Sequence, residues 1–167
     1  MTEIWRGRRL WVEKRAVDAP SGRREYVIVH PGGAVAILPL DGDEVVLIRQ
    51  YRAAIDAWIL EAPAGTLEEG EEPAACAARE LIEETGLAAD ELVPLGAVYT
   101  TPGFSDEEIH LFLARGLAPC TDFEKDEDEQ IEVVRVSRDE ARAMALDGRI
   151  RDAKTVCLVH RGLGGAP

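Results

Sequence analysis

The stretch from Pro73 to Gly86 limits this chain more than any other: it reads as one helix with two sides of opposite character. Pro73 suits a first helical turn, where its missing N–H costs nothing, and Gly86 suits the position just past the last turn. At about 100° per residue, with Glu80 at zero, Glu83 falls near −60° and Glu84 near +40°, so the three carboxylates share an arc of roughly 100°. On the same projection Ala74, Ala77, Ala78 and Leu81 occupy about 60° to 160°. Such a helix buries a small-residue side, which allows close approach to a sheet, and holds its acids beside that buried face.

That arrangement works against itself electrostatically. Like charges three and four residues apart repel by a few tenths of a kcal/mol per pair. Their place near the helix C-terminus, where the macrodipole favours cations, adds to the cost. Arg79, one turn before Glu83, offsets part of it. Glutamates on a helix are often simply solvated surface groups. The alternative is that a divalent cation removes the repulsion, and oxygen donors without an adjacent histidine or thiolate favour Mg²⁺, with Mn²⁺ as a substitute.

The flanking residues decide between the two. Gly65, Glu71, Arg79, Glu80, Leu81, Glu83, Glu84, Gly86 and Leu87 match all nine fixed positions of the pattern G-x5-E-x7-R-E-U-x-E-E-x-G-U over 23 residues, U being a bulky aliphatic. The chain therefore resembles the Nudix hydrolases. That resemblance implies a loop–helix–loop on an α/β/α sandwich and Mg²⁺-dependent hydrolysis of a nucleoside diphosphate linked to another group. It implies Glu80 and Glu84 as principal metal ligands, Glu83 assisting, and a backbone carbonyl from Ala64. Arg79 would orient the glutamates, and Glu71 would hold the loop.

Composition agrees with an ordinary globular domain. The chain has 167 residues, 46% hydrophobic and 31% charged, with a formal net charge of −13. The length suits one domain. The charge argues against broad binding to the phosphate backbone of nucleic acids, and no apolar run approaches the roughly 18 residues of a membrane span. Arginines near the N-terminus are followed by no apolar run of the secretory kind. Cys76, Cys120 and Cys157 are too scattered for a zinc site or a disulfide framework. A cytoplasmic location is the expectation. No P-loop, nucleophile elbow or H-E-x-x-H motif is present, and His30, His110 and His160 read as structural.

The rest of the chain reads as strands near 24–30, 34–40, 44–51, 92–100, 108–114 and 131–136. Asp41-Gly42-Asp43 is a turn signal joining the second and third into a hairpin. Further helices are expected from Ser137 to Leu146, with Ser137 and Glu140 forming a capping box, and from Asp152 to His160. Strands interleaved with a few helices indicate an α+β or mixed α/β sandwich. Residues 1–30 form N-terminal strands, a candidate dimer-exchange element carrying Trp5 and Trp11, and residues 31–167 form the hydrolase domain. A homodimer is expected from related enzymes.

A second acidic run, Asp126-Glu127-Asp128-Glu129, ordinarily reads as a solvated loop. In the ADP-ribose-cleaving branch of the family, a glutamate on a loop after the signature acts as general base, with another close behind that reaches a metal. Glu127 suits the base and Glu129 the metal-reaching partner, although register within the run stays open. Pro102, 15 residues past Leu87, marks that branch too. Arg49-Gln50-Tyr51-Arg52, Glu61-Ala62-Pro63-Ala64-Gly65 and His30-Pro31-Gly32-Gly33 are also similar to its segments. The resemblance places Arg52 and Glu61 on the nucleotide or its diphosphate, and Pro102 and Phe104 near the substrate. Trp58 could stack on adenine or simply pack.

The expected reaction is ADP-ribose plus water giving AMP and ribose 5-phosphate. Another nucleoside diphosphate sugar or a dinucleotide polyphosphate is the alternative within the family. A non-catalytic nucleotide sensor is the alternative outside it, weakened by the complete set of carboxylates.

Overall fold

The computed structural model describes residues 1–120 and 131–164. Among these residues ten strands form two sheets, accompanied by three α-helices. The first three strands, β1 (Thr2–Arg6), β2 (Trp11–Ala19) and β3 (Gly22–His30), make an antiparallel sheet of their own.

The main sheet starts with the hairpin of β4 (Ala34–Asp41) and β5 (Glu44–Arg52), closed at Asp41↔Glu44 as the turn residues predict. β6 (Ala57–Glu61) pairs with β5, and the short β7 (Ala64–Thr66) pairs with the start of β4. After α1 (Pro73–Thr85) come β8 (Leu87–Tyr99) and β9 (Glu108–Pro119), an antiparallel pair. β9 runs parallel to β4, which makes the sheet mixed. β10 (Ile131–Ser137) lies antiparallel to β5, followed by α2 (Arg138–Asp147) and α3 (Ala153–Leu163).

Both faces of this sheet are covered, which is why β4 is nearly continuous in apolar residues. Val35 and Ile37 face α1 with Cys76, Ala77 and Leu81. Ala36, Leu38 and Leu40 face the opposite way, against Ala141 and Met144 of α2 and Leu158, Val159 and Leu163 of α3. The period-2 alternation of a strand thus separates two cores, and the α/β/α sandwich follows. No described helix is long and apolar enough to cross a membrane.

Several boundaries differ from expectation. β6 and β7 are short strands that local pattern does not announce. β8 begins at Leu87 rather than near 92, because pairing with β9 carries the weak β-formers Ala88 to Glu91 into the ladder. Helix ends follow their caps: Ser137 Oγ accepts from Glu140 N at 3.1 Å, while the Glu140 carboxylate pairs with Arg149.

Among the described residues, the N-terminal sheet is hydrogen-bonded to the main domain around Val29 and His30. Val29 N donates to the Phe104 carbonyl at 2.8 Å. His30 lies between Asp106 (Nδ1–Oδ2, 2.6 Å) and the buried Glu13 (Nε2–Oε1, 3.3 Å). Trp11 stacks on His30 with ring centres 3.9 Å apart, so this tryptophan packs onto its own chain. Trp5 stays exposed.

Candidate active site

The site grows from the contact between α1 and β7. α1 starts at Pro73 and stops at Gly86, whose φ of 71° is the left-handed cap that glycine adopts without strain. Ala77 and Leu81 are buried against the sheet, which presses the neighbouring carboxylates against β7. Glu84, only 5% exposed, accepts a hydrogen bond from Ala64 N at 2.8 Å. Glu80 lies so close over Gly65 that a Cβ built there would fall inside its carboxylate. Gly65 is needed for close approach rather than for a special backbone angle.

Arg79 ties the cluster together. Its Nε and Nη2 donate to the two Glu71 oxygens at 3.0 Å each, and its Nη1 donates to Glu80 at 2.7 Å and Glu83 at 2.9 Å. The Arg79 bonds, helped by the Glu68 N–H, hold the Glu71 carboxyl down to about 2. Glu71 therefore stays ionised and keeps the loop before α1 in place. Burial, with Glu71 adding to it, pushes the Cys76 thiol up to about 12, so it stays protonated.

A second cluster sits on β5, β6 and the first turn of α3. Arg52 donates to Glu61 through Nε and Nη2 at 2.6 and 2.7 Å, a bidentate pair. Lys154 also binds Glu61 and reaches Asp152 at 3.1 Å. Burial pushes the Glu61 carboxyl up, but the Arg52 hydrogen bonds and the Lys154 charge outweigh it, leaving it below the usual carboxylate value.

A cavity of about 1050 Å³ joins the two clusters; its lining includes Arg52, Ala64, Gly65, Arg79, Glu80, Glu83 and Glu84. These expected residues are thus brought together. Glu61 does not line the cavity, because its carboxylate is turned onto Arg52 and Lys154. Pro102 and Phe104 do not line it either; they form the turn whose backbone carries the joint with β3, while Thr100, Thr101 and Glu107 beside them do. Glu127 and Glu129 lie outside the described residues. Trp58 packs beside Tyr51, ring centres 5.8 Å apart, with Arg49 over its face.

Arg9, Gln50, Glu68, Asp152 and Lys154 also line the cavity and were not anticipated. Asp152 had a local signal as the N-cap of α3, accepting from Thr155 N at 2.9 Å. Lys154 had none, since a lone lysine in a first helical turn is ordinary.

Among the described residues no three His, Cys, Asp or Glu side chains stand close enough together to hold a metal ion as they are. Arg79 draws Glu80 and Glu83, and Ala64 N–H holds Glu84. The donor chemistry nonetheless fits a hard divalent cation. Three carboxylates line the cavity, with Ala64 beside them, and Gly65 leaves space that the Glu80 carboxylate enters.

Comparison with known proteins bears on this geometry. The family model described as NUDIX domain matches residues 30–159. An ADP-ribose pyrophosphatase of Bacillus subtilis (strain 168) is 37% identical over 161 residues, covering 95% of this chain and 87% of the relative. A GDP-mannose pyrophosphatase of Cronobacter sakazakii (strain ATCC BAA-894) is 39% identical over 146 residues, covering 83% and 76%. A crystal structure of an ADP compounds hydrolase superposes with a TM-score of 0.86 at 27% identity, covering 97% of this chain and 89% of that one.

Proposed function

The chain belongs to the Nudix family and is a pyrophosphohydrolase, and from that premise we propose that it hydrolyses ADP-ribose to AMP and ribose 5-phosphate with Mg²⁺. The observation that carries this reading is that the signature carboxylates and Arg52 line one and the same cavity. The relative that favours ADP-ribose is the Bacillus pyrophosphatase, alike over 95% of this chain. The volume, about 1050 Å³, is at the upper end of small-molecule sites, which run to about 1,000 Å³, and suits a substrate with two sugar-bearing halves.

In the reaction a water oxygen bonds to one phosphorus, the bridging P–O bond breaks, and the water gives up a proton. Glu80 and Glu84, with Glu83, the Ala64 carbonyl and Glu129, would hold the metal. A bound divalent cation supplies charge neutralisation at the phosphate oxygens and acidifies a water. Arg79 keeps Glu80 and Glu83 directed at one place through its shared guanidinium. Arg52 meets the phosphate oxygens, for which a planar guanidinium is well shaped. Glu127 is the base that takes the water's proton.

Incubation with ADP-ribose and Mg²⁺, following AMP by chromatography, is expected to show turnover that EDTA abolishes. A second reading is favoured by the Cronobacter relative, which is a GDP-mannose pyrophosphatase. Faster release of GMP from GDP-mannose than of AMP from ADP-ribose would make that the substrate.

We also propose that the protein is a homodimer joined through its N-terminal sheet. Ile4, Trp5, Tyr26 and Val27 are exposed there, and apolar side chains left on a surface can mark a protein–protein contact. Light scattering is expected to give twice the 18.3 kDa of the chain, and Trp5→Asp with Val27→Asp is expected to halve that mass. A monomeric wild type would refute this.

A further inference from the structure

Glu61 is an anion in an expensive place. It is 1% exposed, and a buried carboxylate is tolerated only when paired and hydrogen-bonded. Arg52 alone neutralises one negative charge, and it engages both oxygens. Lys154 nevertheless adds a second cation to the same carboxylate, with its side chain only 11% exposed.

The placement of Lys154 follows from α3. Asp152 caps the helix through Thr155 N and accepts from Thr155 Oγ1 at 2.6 Å, and Thr155 Oγ1 accepts from Ala62 N at 2.7 Å. The first turn of α3 is therefore fastened to the segment just after Glu61. With Thr155 buried in that contact, Lys154 is left facing Glu61 and the cavity.

Resting on the pyrophosphatase reading, we infer that Lys154 is a positioning residue for phosphate binding: by sharing Glu61 with Arg52, it fixes the Arg52 guanidinium and keeps its charge available to the substrate. The Arg52 bonds to Glu61 use Nε and Nη2, and Nη1 takes part in neither. Without Lys154, the Glu61 charge falls on Arg52 alone, and a polyanion in a cavity already lined by glutamates loses its cationic counterweight. Lys154 thus acts through Glu61 and Arg52.

The test is a double-mutant cycle on wild type, Lys154→Gln, Arg52→Gln and the double variant, with ADP binding measured by calorimetry and KM and kcat measured on ADP-ribose. Lys154→Gln is expected to weaken ADP binding and raise KM on the order of tenfold, the low end of what losing an outer supporting partner costs, with a much smaller change in kcat. In the Arg52→Gln background the same change is expected to have almost no effect, because the two act as a unit. Lys154→Arg, which preserves the charge on Glu61, is expected to recover most of the binding.

Additive losses in the double variant would overturn the inference, as would Lys154→Gln binding ADP like wild type or a wild type that does not bind ADP. Melting temperatures identify an unfolded variant, and Lys154→Met, which keeps the buried stem, then takes the place of Lys154→Gln in the cycle. ADP binding needs no turnover, so a wild type that binds ADP but leaves ADP-ribose intact counts against the proposed reaction and leaves this coupling to be decided by the cycle.

Discussion

Replacing Glu84 by glutamine is expected to lower kcat on ADP-ribose by about two to three orders of magnitude, the scale of removing one electrostatic stabiliser from an active site. The substitution keeps size and shape. An amide oxygen can still accept from Ala64 N, the bond that Glu84 makes at 2.8 Å, so the contact between α1 and β7 survives. What disappears is one negative charge on the cavity wall. Thermal unfolding is expected at or slightly above the wild-type midpoint, because Glu84 is nearly buried and a neutral group there is less costly than a charged one. Turnover near the wild-type level at saturating Mg²⁺ would remove Glu84 from the metal set.

The second large effect is expected from Gly65→Ala. An added Cβ would occupy the position of the Glu80 carboxylate. Glu80 ends in a flexible chain, so it can swing away, and the fold is expected to lose only about 1 kcal/mol, the lower end of overpacking costs. Activity has no such outlet. The displaced carboxylate leaves Arg79 and the metal wall, and a misplacement of about 1 Å in a catalytic group costs on the order of 10²-fold. The informative pair of measurements is kcat against Mg²⁺ concentration and the melting temperature. A variant that is stable but inactive fits the geometry; full activity would show that Glu80 is not required where it lies.

Both expectations use residues legible in the sequence, but neither could have been argued from it alone. The nine signature positions identify Gly65, Glu80 and Glu84 as special, without saying that one is needed because another lies on top of it. The limits of α1 were readable because Pro73 and Gly86 act on their own backbone. The hairpin of β4 and β5 was readable because its turn residues sit inside it. β6 and β7 were not, since a strand of three to five residues exists only where a partner strand fixes it.

The same division runs through the cavity. Arg52 and the helix glutamates follow local patterns. Glu61 looked like a substrate contact; in the fold its carboxylate is occupied by Arg52 and Lys154. Pro102 and Phe104 were expected near the substrate; in the fold they do not line the cavity, and their turn hydrogen-bonds to Val29 of the N-terminal sheet.

By itself, the sequence determined the helix, its two faces, the phase of its carboxylates and the family they signal. These depend on spacing along one segment, and 3.6 residues per turn is a property of every α-helix. Only the tertiary structure decided which oxygens are already engaged, that Gly65 is required by proximity, and that a lysine 93 residues beyond Glu61 shares its charge. Those facts come from sheet order and from α3 packing its first turn onto Ala62. The energy of a buried ion pair depends on distance in space, which spacing along the chain does not encode.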